Sequence, residues 1–324
     1  MAVITITEAM RDAIGEELER DPNVIVYGED VELSVYGAQN GLVERFGRER
    51  IWNAPLSEAT FVGAGLGAAM SGVRPVIDLM IGTFTYVAMD QLYNQAAKLR
   101  YMSGGQAKMP VVVMCVCGAR GSAAAQHSDS PYPLFMSASG IKVVLPSTPA
   151  DAKGLLKASI RDDNPVLFFE PLSLLGEKGE VPDEEFIVPL GRADIKRRGD
   201  TVTIVGVGAT VKMALEAATT LAAEGIEAEV VDVRTLRPLD ENAILESVRK
   251  TGRLVVADEA RQPGLAAEVS AIAAERAFDT LRAPVARVFT PNVPVPFSPP
   301  LEGAVLPSAE KVAAAARRVV NGAT

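Results

Sequence analysis

Two doubly wound α/β domains, each built on a mainly parallel sheet, are the fold class that this 324-residue sequence predicts. Three observations carry the prediction. The chain is too long for one domain of ordinary size. Its residues are 48% hydrophobic but only 5% aromatic, with Ala and Val plentiful, as buried parallel strands covered by helices require. Short apolar runs alternate with helical stretches, and the alternation restarts after a segment rich in Gly, Pro and charge. That segment places the domains at 1–185 and 186–324.

The elements follow in order. Residues 5–20 carry apolar side chains at helical spacing (Ile6, Ala9, Met10, Ala13, Ile14, Leu18), with Thr5 or Thr7 as cap. Val24–Tyr27 is a short buried strand stopped by Gly28. Residues 29–49 read as a loop with one helix, and Arg50–Asn53 as a strand. Residues 61–72 form a helix of small and apolar residues, which Ser57 is placed to cap. Strand 74–80 and a helix over 87–101 come next. Pro110–Val116 is an unbroken apolar strand, and 118–133 a long loop of small and polar residues, the kind that carries function. Strand 142–145, helix 149–161 and strand 165–169 complete the first domain. Residues 172–200 read as the linker. The second half repeats the pattern: strands at 202–207, 228–233, 254–257 and 285–289, and helices at 211–224, 240–250, 264–278 and 308–320.

Composition excludes several functions. A net charge of −9 without a basic cluster argues against nucleic-acid binding. No apolar stretch approaches the ~18 residues of a membrane span. Two cysteines, Cys115 and Cys117, and a single histidine make a zinc site or disulfide framework improbable. The N-terminus shows no basic segment leading into an apolar one, so a cytoplasmic location is expected.

Three constellations bear on chemistry. Glu58, in Pro55-Leu-Ser-Glu-Ala-Thr-Phe61, stands in the first turn of a very apolar helix. It either complements the helix dipole or is a catalytic carboxylate whose pKa poor solvation raises. Gly206-Val-Gly208 follows a strand and opens a helix, with Asp232 ending the next strand. This is nearly a nicotinamide-dinucleotide fingerprint, but Val211 replaces its third glycine, and the glycines equally suit a tight turn. His127 lies in the long loop, as a structural or surface residue or as a group titrating near neutrality where catalytic groups gather.

Longer segments decide between these readings. Pro55-Leu-Ser-Glu58, Met89-Asp-Gln-Leu-Tyr-Asn-Gln-Ala-Ala-Lys98, Arg100-Tyr-Met-Ser-Gly-Gly105, Gln126-His-Ser128, Lys142-Val-Val-Leu-Pro-Ser-Thr-Pro149, Asn164-Pro-Val-Leu-Phe-Phe-Glu170 and Val233-Arg-Thr-Leu-Arg-Pro-Leu239 follow one another in order. Together they resemble the beta subunit of the thiamin-diphosphate-dependent component of 2-oxo acid dehydrogenase complexes, of the pyruvate, branched-chain or acetoin type. The resemblance spans essentially the whole chain. It implies a pyrimidine-binding first domain and a transketolase C-terminal-like second domain.

The resemblance also implies roles. Glu58 would hydrogen-bond the pyrimidine ring nitrogen, favouring the imino form of the amine that removes the thiazolium proton. Leu56 would contact the pyrimidine through its backbone and Phe84 through its ring. His127 would line the channel by which the lipoyl arm of an acyltransferase arrives. A potassium site of mostly main-chain oxygens would map to Val111, Ser159, Ile160, Asp162 and Asn164. The Gly-Asp-Gly and Asn-Asn elements that bind diphosphate and Mg2+ are not in this sequence, so an alpha subunit would supply them, in an alpha2beta2 heterotetramer acting on a 2-oxo acid. Asp129 stands where the family commonly has Gln, and Ser130–Phe135 is also atypical. Acetoin cleavage is the nearest alternative. An NAD(P)-binding oxidoreductase and a non-catalytic structural subunit are the alternatives from other classes.

Overall fold

The computed structural model describes residues 1–322, so the last two residues of the expected 186–324 domain lie outside the described residues. The chain divides into two compact units. One comprises Met1–Cys117 and Leu134–Leu190, and the other Gly118–Pro133 and the chain from Gly191 onward.

The first unit holds β1 (Ala2–Thr5), β2 (Val24–Gly28), β3 (Ile51–Asn53), β4 (Arg74–Ile81), β5 (Val112–Cys117), β6 (Lys142–Val144), β7 (Val166–Pro171) and β8 (Lys178–Val181). Six of these run parallel in the order β6-β7-β5-β4-β2-β3. Every residue of β5 and β7 is buried, as expected of inner strands covered on both faces. The helix Ile6–Arg20 opens with a capping box: Thr5 Oγ1 accepts from the Glu8 N–H, and the Glu8 carboxylate accepts from the Thr5 N–H. It packs against the helix Pro149–Arg161, which Thr148 caps. Lys157 is fully buried there because its ammonium reaches both Glu16 and Glu185.

The second unit holds β9 (Asp194–Arg197), β10 (Val202–Gly206), β11 (Ala228–Asp232), β12 (Thr235–Arg237), β13 (Leu254–Asp258) and β14 (Ala286–Phe289). Its sheet runs β14-β13-β10-β11-β9 and is parallel except for β9. Helices Ala209–Ala222 and Ala309–Asn321 bury Leu221, Val312 and Val319 over it.

Three expectations need correction. The stretch 172–200 is not a plain linker: β8 pairs antiparallel with β1, and β9 with β11. Both strands are charged and owe their order to main-chain pairing, which hydropathy does not register. The helix over 87–101 opens instead with a wide π-helical segment, Asp90–Ala96, before tightening at Ala97–Met102. Ser57 sits at the N-cap of the helix Glu58–Met70 but makes no side-chain cap bond; its hydroxyl donates to Thr60 Oγ1 at 2.8 Å. No helix among the described residues is long and apolar enough to cross a membrane.

Candidate active site

In the first unit, the carboxyl ends of the parallel strands gather a set of acids. β2 ends at Gly28 (φ 152°), where a Cβ would lie 2.0 Å from the Asp78 carbonyl oxygen. Only glycine lets β2 and β4 approach this closely. The next residue, Glu29, donates its N–H to that same carbonyl at 3.0 Å and keeps its side chain buried. Asp78 itself accepts from Gln39 Nε2 at 2.8 Å and from the Met80 N–H at 2.6 Å. Glu170, near the end of β7, is buried as well.

The helix Glu58–Met70 brings the fourth acid. Gly65 lets it settle on the sheet, since a Cβ there would meet Ile77 Cδ1 at 2.4 Å and the Tyr27 hydroxyl at 2.5 Å. The Tyr27 hydroxyl donates to the Phe61 carbonyl at 2.8 Å, and its ring stacks on Trp52 with centroids 5.1 Å apart. Gly65 therefore serves packing. The helix start is fixed, and Glu58 is half-buried at its first position.

Electrostatics tie the acids together. Desolvation pushes the Glu29 carboxyl up to about 7, with the charges of Glu58, Asp78 and Asp30 and a hydrogen bond to Glu58 adding to the effect. Two carboxyls can share a hydrogen bond only if one keeps its proton, and the raised group is Glu29. Burial also holds Asp78 and Glu170 above the usual carboxylate range, Glu170 well above it with the charge of Asp78 adding to burial. Glu29 Oε1 is buried without a hydrogen-bond partner. Sequence reasoning missed Glu29, Asp78 and Glu170. The available signal was an acid within or at the end of each of three apolar strand runs, Val24–Glu29, Arg74–Met80 and Val166–Glu170.

Leu56 is exposed two residues before Glu58, and Phe84 is half-buried in the 3₁₀ turn Gly82–Tyr86 that follows β4. Ser159, Ile160, Asp162 and Asn164 lie at or just beyond the end of the helix Pro149–Arg161, while Val111 immediately precedes β5. Arg74 Nη1 donates to the Ile160 and Asp162 carbonyls at 3.0 Å each. The Val111 carbonyl accepts from the Val166 N–H, and that of Ser159 from the Asp162 N–H. The Lys142 ammonium pairs with the Asp162 carboxylate, and Arg100 reaches Asn164 Oδ1 at 2.9 Å. Side-chain cations thus already contact oxygens of Ile160, Asp162 and Asn164.

His127 belongs to the second unit. It ends a single helical turn, Ala124–His127, and is exposed, while Ser128 beside it is buried. Asp129 accepts from Arg261 at 2.7 Å. The Gly206–Gly208 turn of this unit is closed by Thr210, whose Oγ1 accepts from the Val207 N–H at 3.0 Å and donates to main-chain oxygens of Val207 and Ala257. The tight-turn reading of those glycines therefore has a structural basis.

Fold and sequence together define a two-domain transketolase-like protein. Residues 2–178 match the family described as the transketolase pyrimidine binding domain, and 191–312 the transketolase C-terminal domain. A solved split-gene transketolase, an inactive beta4 tetramer, superposes with a TM-score of 0.80 at 26% identity, covering 98% of each chain. More specifically, the chain belongs to the family of beta subunits of the pyruvate, branched-chain 2-oxo acid and acetoin dehydrogenases. It is 49% identical to the acetoin:2,6-dichlorophenolindophenol oxidoreductase beta subunit of Cupriavidus necator, over 98% of both chains. It is 44% identical to the pyruvate dehydrogenase E1 beta subunit of Bacillus subtilis and 42% to that organism's 2-oxoisovalerate dehydrogenase beta subunit, covering 99% of this chain and 100% of the relative in each case.

Proposed function

We propose that this chain is the beta subunit of an alpha2beta2 2-oxo acid dehydrogenase, contributing the pyrimidine side of a thiamin diphosphate site. The observation that carries this reading is the Glu29–Glu58 pair. Glu29, raised to about 7, holds a proton against Glu58 and leaves the other Glu58 oxygen to face a ring nitrogen. The site suits such a group: a carboxylate at a helix start, a buried Glu29 oxygen lacking a donor, and a half-buried aromatic, Phe84, in the turn after the neighbouring strand. When bound, the cofactor would supply the electron sink for loss of carbon dioxide. Glu58 would orient it and exchange a proton at the ring nitrogen, Leu56 would offer its backbone, and Phe84 its ring.

His127 would orient or protonate the lipoyl group carried by an acyltransferase during reductive acylation. An alpha subunit would hold Mg2+ and the diphosphate. A K+ at the carbonyls of Val111, Ser159, Ile160, Asp162 and Asn164 would share those of Ile160 and Asp162 with the Arg74 guanidinium, since each carbonyl oxygen has two lone pairs. The reduced, buried thiols of Cys115 and Cys117 suit a cytoplasmic location.

Calorimetry tests the division of the site. With Mg2+, the isolated chain should bind thiamin diphosphate in the millimolar range or weaker, because one charged hydrogen bond and one ring contact outweigh the entropy of binding only slightly. The chain with its alpha subunit should bind about a thousandfold more tightly, roughly 4 kcal/mol. Micromolar binding by the isolated chain would overturn the proposal. A second reading, acetoin cleavage through the same Glu58, draws support from identities of 49% and 46% to two acetoin enzymes. Turnover of acetoin but of no 2-oxo acid by the reconstituted enzyme would establish it.

A further inference from the structure

The segment Gly118–Pro133 follows an unusual backbone course. Arg120 (φ 79°), Ser122 (φ 50°) and Ala124 (φ 60°) all adopt the left-handed region without being glycine. Such conformations persist only where the surroundings impose them. Here the surroundings are carboxylates of the same unit. Glu259 Oε1 accepts from the Ala119 N–H at 2.7 Å. Glu302 Oε1 accepts from the Arg120 N–H at 3.0 Å and the Ser122 N–H at 3.3 Å. The Arg120 guanidinium donates to the Pro307 carbonyl at 2.8 Å. At the far end of the segment, Asp129 pairs with Arg261 at 2.7 Å, and its carbonyl accepts from the Gly118 N–H at 3.0 Å. The segment is closed at its base and pinned on both sides of His127.

Glu302 is only 5% exposed. A buried carboxylate that accepts two amides in succession fixes both peptide planes, and so the direction in which the following turn, Ala124–His127, projects. At the other end, the Arg261 guanidinium answers the charge of Asp129 at 2.7 Å.

We propose that Glu302, together with the Asp129–Arg261 ion pair, positions His127 for the lipoyl-bearing partner. Glu302 is a positioning residue, acting through the Arg120 and Ser122 amides and touching no reactant. The inference rests on the lipoyl-facing reading of His127.

The test uses the chain assembled with its alpha subunit and a free lipoyl domain as acceptor. Glu302→Ala should raise KM for the lipoyl domain about tenfold, since a loop displaced by about an ångström misplaces its reacting group. Turnover with an artificial electron acceptor should change less than about twofold, because that route does not need His127. Glu302→Gln keeps an acceptor oxygen and should restore most of the lost KM. Hydrogen exchange at the Arg120 and Ser122 amides should quicken in Glu302→Ala and not in Glu302→Gln.

Should Glu302→Ala fail to fold, Asp129→Asn and Arg261→Gln should each raise the lipoyl KM, and their double variant no further than either single one. Wild-type exchange and wild-type lipoyl KM in Glu302→Ala would overturn the proposal, as would equal losses with both acceptors. Additive effects of Asp129→Asn and Arg261→Gln would also overturn it. His127→Ala with undiminished lipoyl transfer would overturn instead the reading of His127 on which the proposal stands, whatever Glu302→Ala does.

Discussion

The strand ends of the first unit and the His127 segment of the second use carboxyl groups in opposite ways. At the strand ends, Glu29, Asp78 and Glu170 are buried, and burial raises all three carboxyls above their ordinary range. In the His127 segment, Glu302 and Asp129 are matched to backbone amides and a guanidinium, which fix a path through space. The first arrangement decides where a proton resides, the second where an atom sits. An acid-to-amide change keeps shape and acceptor while removing the proton chemistry. It should therefore cost far more catalysis at Glu58 than at Glu302.

The largest expected effect is at Glu58. Glu58→Gln should leave the fold intact and slow thiazolium proton exchange in the assembled enzyme by about 10²–10⁴, the usual worth of positioned acid–base catalysis. Wild-type exchange in the folded variant would erase the distinction between the two regions. His127→Ala comes next. Overall turnover through the lipoyl route should fall about tenfold or more, and turnover with an artificial acceptor should hardly change. Equal losses in the two assays would assign His127 to the cofactor side.

Glu29→Gln sharpens the comparison through stability. The folded-state pKa of Glu29, about 7, lies above the ordinary value of 4.5. Below about pH 4.5 both folded and unfolded chains hold this proton, and the group is neutral to stability. Between about 4.5 and 7 only the unfolded chain releases it, so stability falls as pH rises and the loss is complete above 7. Glu29→Gln should match the wild type near pH 4 and exceed it by up to about 3 kcal/mol at pH 8. Denaturant melts at the two pH values measure this, and a variant weaker than wild type at pH 8 would contradict it. The smallest effect concerns packing alone. Gly65→Ala should cost about 1–3 kcal/mol by forcing Ile77 and the Tyr27 hydroxyl aside, measurable as a lower denaturation midpoint.

Much of the fold was legible because its signals are local. The apolar runs at Val24–Tyr27 and Pro110–Val116 announce buried parallel strands, and Thr5-x-x-Glu8 announces a helix start. β8 and β9 escaped because their side chains are charged, and partners far away in sequence, β1 and β11, order them. Glu58 and His127 stood out as candidates from their surroundings in the sequence, while the roles expected of them, and of Leu56 and Phe84, came from motif resemblance. Glu29 escaped for a physical reason. An acid after a strand-ending glycine looks like an ordinary loop residue until the fold encloses it. Glu302 lies 175 or more residues from the amides it accepts, beyond the reach of any spacing argument.

The pairing of β1 with β8 has a consequence for how such a gene can be rearranged. Ala2 lies opposite Val181, and the amino group of Met1 meets the Asp183 carboxylate at 2.5 Å. The first strand of this unit and its last thus lie side by side. A module with adjacent termini can be joined to a neighbour at either end, or spliced into a longer polypeptide, with little disturbance of its core.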